Sequence, residues 1–333
     1  MELKLKFRDQ FNITPDQKLF FWGSCFSENI SQRLNSLGFN VLSNSHGIIF
    51  NPVSLQKAVS SCVYNTSIDE NDIVQNQDVY IHLDFHGEFN SLNKEDIIEN
   101  CNSSIREFNQ NLSQRKKSKI FITLGSAWIY EHIESSTLVA NCHKLPSSQF
   151  NKRMLSINEC KQAIQTIQED LDKVLDDYEI HLTVSPVRHK KDGWVENNLS
   201  KSTLLLAINE FVKESDKAFY FPVYEWVIDI LRDYSFFTED GIHPNIKAVD
   251  FIFKQFVEHY FDKDNKDYIT RRTNINQQVR HRVQLPGSQS HQNFLITLLK
   301  QIEKLEKDYR FLLMDSEKRS INKDLEKYFQ HES

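Results

Sequence analysis

Over the first 260 positions, apolar residues fall into short runs that alternate with stripes at spacings of three and four, the pattern of strands followed by amphipathic helices. Leu19-Phe20-Phe21-Trp22 is a run of strand length that stops at Gly23. Ile30, Leu34 and Leu37 then recur at helical spacing and end at Gly38, and 39–42 reads as a second strand. Strand, sharp turn, helix and strand make the unit from which parallel sheets are assembled.

The unit recurs. Ile97, Cys101, Ile105, Phe108 and Leu112 form a helical stripe ahead of the strand-like run Lys119-Ile120-Phe121-Ile122-Thr123-Leu124-Gly125. Ser156 and Glu159 have the spacing of a capping box, and Ile157, Cys160, Ile164, Ile167, Leu171, Val174 and Tyr178 continue from it before a strand over 180–187. A helix over 199–212, a short strand over 218–221 and a last amphipathic helix over 246–260 complete a doubly wound α/β domain spanning 1–260. The segment 261–291 is polar without a sustained period and reads as a connection outside the sheet. In 292–333, Phe294, Leu298, Ile302, Leu305, Tyr309 and Leu312 lay one apolar seam along a C-terminal helix. The seam fits a helix docked on the parent domain or one that forms a homodimer, and it has fewer heptads than a stable coiled coil uses.

Composition narrows the class. With 39% hydrophobic and 26% charged residues, and only 8 Gly and 7 Pro among 333, the chain is expected to be globular and rich in regular elements. A net charge of -6 leaves no basic excess for nucleic acid, and no apolar run has the length of a signal sequence or a membrane span. The expected location is therefore cytoplasmic. Five cysteines at irregular spacings, with no CxxC, read as separate thiols.

Two segments can carry chemistry. Gly23-Ser24-Cys25-Phe26-Ser27-Glu28-Asn29 stands where a strand meets a helix, so a side chain there projects from the carboxyl edge of the sheet beside free N–H groups. Those N–H groups are expected to favour a Cys25 thiolate. The plain alternative is a buried cysteine beside a capping Ser24. Some two hundred residues later, Asp240-Gly241-Ile242-His243-Pro244 places an Asp three residues before a His in a turn, where the carboxylate can fix the imidazole tautomer.

The order of an early strand, a Gly-x-nucleophile turn and a late D-x-x-H-P loop resembles the SGNH, or GDSL-type, hydrolases, and Gly23-Ser24-Cys25-Phe26-Ser27 is close to the signature of the GSCFA family placed among them. Ser45-His46-Gly47-Ile48-Ile49-Phe50-Asn51-Pro52, Thr123-Leu124-Gly125, Asn141-Cys142-His143-Lys144-Leu145-Pro146 and Thr183-Val184-Ser185-Pro186-Val187-Arg188-His189 extend the resemblance. It implies a flavodoxin-like three-layer α/β/α sandwich and acyl-ester hydrolase or acyltransferase chemistry on a small-molecule or carbohydrate ester, with no cofactor. In the GDSL pattern Cys25 falls under the nucleophilic Ser and Ser24 under the Asp; the other register makes Ser24 the nucleophile.

Asp240 and His243 would complete the catalytic set. The resemblance makes Gly47 an oxyanion donor, but Ala127 stands where the family's Asn is expected. Asn51, Ser126 or Trp128, beside Gly125, are the candidate replacements. His143 and Arg188 are candidate substrate contacts, the latter with His189, Lys191 and Lys201 as a group suited to an anionic moiety. His82, Asp84 and His86 would share one face of a strand. They make a weak metal site, because adjacent Cys142 and His143 cannot easily converge with them and no HExxH occurs. The competing class is a ligand-binding protein on a degenerate hydrolase fold.

Overall fold

The computed structural model describes residues 11–281, 284–309 and 312–329. They form two compact units. The first holds Gln17–Arg33 and Val41–Phe253; the second holds 11–16, 34–40 and the described residues from 254 onward.

In the first unit the elements run β1 (Lys18–Gly23), α1 (Cys25–Ser36), β2 (Asn40–Ser43), α2 (Pro52–Tyr64), the hairpin β3 (Val74–Asn76) and β4 (Val79–Ile81), α3 (Lys94–Leu112) and β5 (Ser118–Leu124). A small antiparallel sheet of β6 (Trp128–His132), β7 (Thr137–Val139) and β8 (Phe150–Met154) follows. Then come α4 (Ile157–Leu171), β9 (Tyr178–Val184), α5 (Trp194–Glu214), β10 (Ala218–Tyr220), a short α6 (Val223–Glu225) with a π-helical turn over Trp226–Ile230, and α7 (Ile246–Tyr260).

The main sheet is parallel, in the order β10-β9-β5-β1-β2, with helices on both faces as in a three-layer α/β/α sandwich. Every residue of β1 and β5 is buried, which is why these strands read as continuous apolar runs rather than alternating ones. One face of the sheet sends Phe20, Trp22, Ile120 and Ile122 against Leu55 and Val59 of α2, Ile164 and Ile167 of α4 and Leu204 and Ile208 of α5. The other carries a ladder of rings, with Phe21 on Phe121 at 4.6 Å, Phe121 on His181 at 5.0 Å and His181 on Phe219 at 5.5 Å.

Two local expectations are corrected. The stripe from Ser156 ends at Leu171, because Asp172 to Leu175 close the helix in tight turns, and Tyr178 instead opens β9. His82, Asp84 and His86 lie beyond the end of β4 in turns, so they do not share a strand face.

In the second unit, the segment read as a connection contains a helix, α8 (Lys263–Val279), capped by Asp262. Its buried side comprises Asn265, Tyr268, Ile269, Arg272 and Ile275, and the polar members of that set hid the period. Tyr268 donates to the Leu37 carbonyl, and Arg272 pairs with Glu317. The C-terminal seam is carried by α9 (Gln289–Asp308), which buries Leu295, Leu298, Ile302 and Leu305. A further helix, α10 (Asp315–Phe329), follows, and α9 packs against both α8 and α10 within this unit.

Candidate active site

The corner between β1 and α1 is fixed by backbone geometry. Gly23 has φ +127°, and a β-carbon there would lie 2.1 Å from the Thr123 carbonyl oxygen, so only glycine fits. The same oxygen accepts the Ser24 N–H at 3.1 Å, Asn44 Oδ1 accepts the Gly23 N–H at 2.9 Å, and Ser27 Oγ donates to Thr123 Oγ1 at 2.7 Å. These bonds turn Ser24 inward to 1% exposure, where its hydroxyl accepts the Phe26 N–H at 3.4 Å. Cys25, the first residue of α1, is left half-exposed at the carboxyl edge of the sheet.

The expectation of a thiol acidified by the helix terminus is corrected. Burial and the neighbouring Glu28 carboxylate raise the Cys25 thiol, outweighing the Cys25 and Phe26 N–H groups and Lys201, which act to lower it. Burial also raises the other cysteines, taking Cys62, Cys101 and Cys160 to about 12 and Cys142 to about 11.

In the loop before α7, Gly241 at φ +68° lets the chain fold back so that Thr238 N–H reaches the His243 carbonyl at 2.8 Å. Asp240 Oδ2 accepts from His243 Nδ1 at 2.5 Å, while Oδ1 accepts from Thr238 Oγ1 at 2.6 Å and from the Ile242 and His243 N–H groups at 2.8 and 3.0 Å. Led by the Thr238 hydroxyl, these donors hold the Asp240 carboxyl well below the usual carboxylate range. An ionised Asp240 accepts the Nδ1 proton of His243 and so orients the ring, leaving Nε2 as the other ring nitrogen. Among the described residues no hydrogen bond joins His243 to Cys25. His189 lies within the field of both Lys201 and His243, and burial first, then Lys201, brings its imidazole down to about 4.

The other candidates separate. The N–H groups of Gly125 and Ser126 both donate to the Phe50 carbonyl, at 2.7 and 3.0 Å, and that of Ala127 to Ser200 Oγ at 2.8 Å, so this turn has no free backbone donor. Ser126 Oγ accepts the Trp128 N–H at 3.0 Å. Gly47 donates to the Asn44 carbonyl at 2.8 Å. Asn51 caps α2, its Oδ1 accepting the Ser54 N–H at 2.8 Å and its Nδ2 donating to Ser54 Oγ at 3.0 Å. Trp128 Nε1 is buried with no hydrogen-bond partner among the described residues, under the Lys152 ammonium 4.6 Å from the ring centroid. Arg188 sits over the Trp194 ring at 5.9 Å.

His143 belongs to a different place. Its Nε2 faces the carbonyls of His82 and Phe85 at 2.9 and 3.0 Å, and it lines a cavity of about 610 Å³ with Asn76, His86, Asn90, Asn141 and Lys144, to which neither Cys25 nor His243 contributes. The cavity is joined to the sheet edge through Gly47, since a β-carbon there would lie 2.3 Å from His86 Cβ.

Two groups were not legible beforehand. The Cys25 N–H has no carbonyl acceptor among the described residues and stands beside the thiol, where an oxyanion would form. Lys201, grouped above with Arg188, His189 and Lys191 as a contact for an anionic moiety, is 1% exposed. Its period on α5 with Asn197, Leu204 and Ile208 was the available signal. Among the described residues no group of three or more His, Cys, Asp or Glu side chains has the arrangement to hold a metal.

The family follows from comparison as well as from the corner motif. The chain belongs to the GSCFA family, whose model matches residues 18–256, and a second model, the GSCFA domain protein C-terminal domain, matches 273–327. The first match spans the sheet together with Cys25, Asp240 and His243; the second spans parts of α8 to α10. The search of curated proteins finds no match. No helix among the described residues is long and apolar enough to cross a membrane.

Proposed function

We propose that the chain is an SGNH-type acyl-transferring enzyme in which Cys25 attacks the carbonyl of a small-molecule or carbohydrate acyl ester, and His243, oriented by Asp240, handles the proton of the leaving group and then of the acceptor. The observation that carries this is the Asp240–His243 pair at 2.5 Å, whose carboxylate has three further donors fixing its orientation. The choice of sulfur rests on exposure: Ser24 is buried and hydrogen-bonded within the corner, whereas Cys25 is accessible. The Cys25 N–H, beside the thiol, is the donor left to receive an oxyanion. Water as acceptor gives an esterase, and an alcohol or amine gives an acyltransferase. A cytosol that keeps thiols reduced suits this nucleophile.

The test is labelling with a fluorophosphonate and, separately, iodoacetamide, together with turnover of p-nitrophenyl acetate. Activity lost in Cys25→Ala and His243→Ala but retained in Ser24→Ala supports the proposal; activity retained in Cys25→Ala refutes it. A second proposal, ligand binding without turnover, draws on the cavity around His143. Its lining includes Gln77, His143 and Lys144 at φ +58°, +47° and +60°, and the buried atoms His86 Nδ1 and Asn90 Oδ1 have no hydrogen-bond partner among the described residues.

A further inference from the structure

The cavity around His143 is lined by hydrogen-bonding groups whose direction the fold has already set. Asn76 Nδ2 donates to the His143 carbonyl at 3.2 Å, so its Oδ1 is left as an acceptor. Asn141 Oδ1 accepts the His143 N–H at 2.9 Å, so its Nδ2 is left as a donor. His143 Nε2 faces the carbonyls of His82 and Phe85, which can only accept, and therefore carries a proton. Burial lowers this imidazole from its ordinary value, so the ring is neutral and its Nδ1 is a second acceptor. Among the described residues none of these three remaining atoms has a hydrogen-bond partner. Two more atoms of the lining, Asn90 Oδ1 and His86 Nδ1, are buried and unpaired among the described residues, with Glu88 Oε1 at 3.7 Å from the latter, beyond hydrogen-bond reach.

The mixture decides the ligand class. A cation calls for carboxylates, and no Asp or Glu lines the cavity. An anion calls for donors throughout, and Lys144 and Asn141 Nδ2 are accompanied by the acceptors of Asn76, Asn90 and His143. A hydroxyl group donates and accepts at once, so several of them on one small molecule match such a set. Val79 and Ile81 add apolar surface for the C–H faces between hydroxyls, and a volume of about 610 Å³ is that of a small-molecule site. We propose that this cavity binds a neutral polyhydroxylated ligand, a mono- or disaccharide, through Asn76, His86, Asn90, Asn141 and His143. The assignment rests on the second proposal above, that the cavity is a ligand site, and is independent of the chemistry at Cys25. It gives the left-handed backbone at His143 and Lys144 a use, since that turn seats the imidazole on two carbonyls and so fixes its free acceptor. It also supplies partners for two buried polar atoms.

The test titrates the full-length protein with the methyl glycosides of glucose, galactose, mannose and xylose and with cellobiose and maltose, by calorimetry and by NMR of the histidine ring nitrogens. At least one of these probes is expected to bind with a millimolar or tighter Kd and to move the ring signals of His86 and His143. Its affinity should change less than about twofold between about 50 and about 500 mM salt, because no charge is paired. Asn90→Leu, which removes the buried acceptor at similar volume, should weaken binding about tenfold or more. Wild-type affinity in a folded Asn90→Leu protein would overturn the proposal. Should that variant fail to fold, the wild-type histidine signals decide alone, and a glycoside that binds without moving either one overturns it. Inorganic phosphate and acetate are the counter-probes. If either moves the histidine signals with a salt-sensitive affinity and no glycoside does, the saccharide assignment falls while the cavity stays a ligand site. If no probe of either kind moves them, the second proposal falls with it.

Discussion

Gly23 and Thr123 stand so close that a β-carbon on the glycine would lie 2.1 Å from the threonine carbonyl oxygen. The contact locks the end of β1 to that of β5, and it decides that Ser24 turns inward and Cys25 outward. Gly23→Ala is therefore expected to be severely destabilising: the positive φ alone costs about 1–3 kcal/mol, and the clash is with backbone that cannot step aside. Urea unfolding checks this, and an alanine protein within about 0.5 kcal/mol of the wild type would show that the corner relaxes.

Asp240→Asn should leave the fold intact and lower turnover of an acyl substrate steeply, by up to about 10⁴, because an amide can hold the wrong imidazole tautomer. Since no hydrogen bond links His243 to Cys25 among the described residues, alkylation of Cys25 should change little in the same variant. Turnover and alkylation falling together would mean that His243 does activate the thiol.

Asn51 separates a structural role from a catalytic one. As the cap of α2, Asn51→Ala should cost about 0.5–2 kcal/mol of stability. A turnover loss of about 10²–10³ without any loss of stability would instead make it an oxyanion donor.

His46 is wholly buried between Ser45 Oγ and Ser61 Oγ, each at 3.0 Å, and stacks on Phe85. Burial depresses its imidazole from 6.5 to about 3. Between those values the unfolded chain binds the proton and the folded one does not. The stability contribution is therefore complete above pH 6.5 and is lost as the pH falls toward 3. His46→Gln should remove about 2 kcal/mol of the stability lost between about pH 7 and about pH 5. Denaturant melts at both pH values measure it, and identical pH dependence in the two proteins would count against a neutral buried His46.

Much of the sheet was legible because its strands are buried on both faces and its helices carry simple apolar stripes. α8 was not, because Asn265 and Arg272 occupy buried positions that a hydrophobic period would assign to Leu or Ile. The Gly23 corner and the Asp240–His243 spacing are local and could be read directly. The state of Cys25 could not, since burial, Glu28 and Lys201 act on it together and the last comes from a helix nearly 180 residues away. Lys201 was grouped with Arg188, His189 and Lys191 as a contact for an anion, and only the packing of α5 shows that its amine ends on two backbone carbonyls.

Acyl-enzyme trapping tests the central claim most directly. The full-length protein is mixed briefly with p-nitrophenyl acetate, quenched in acid, and the adduct mapped by mass spectrometry with and without neutral hydroxylamine. One acetyl group on Cys25, released by hydroxylamine as a thioester is and persisting longer in His243→Ala, is the result expected. An acetyl group on Ser24, or no adduct and no turnover with any activated ester, would contradict a Cys25 acyl-transfer enzyme.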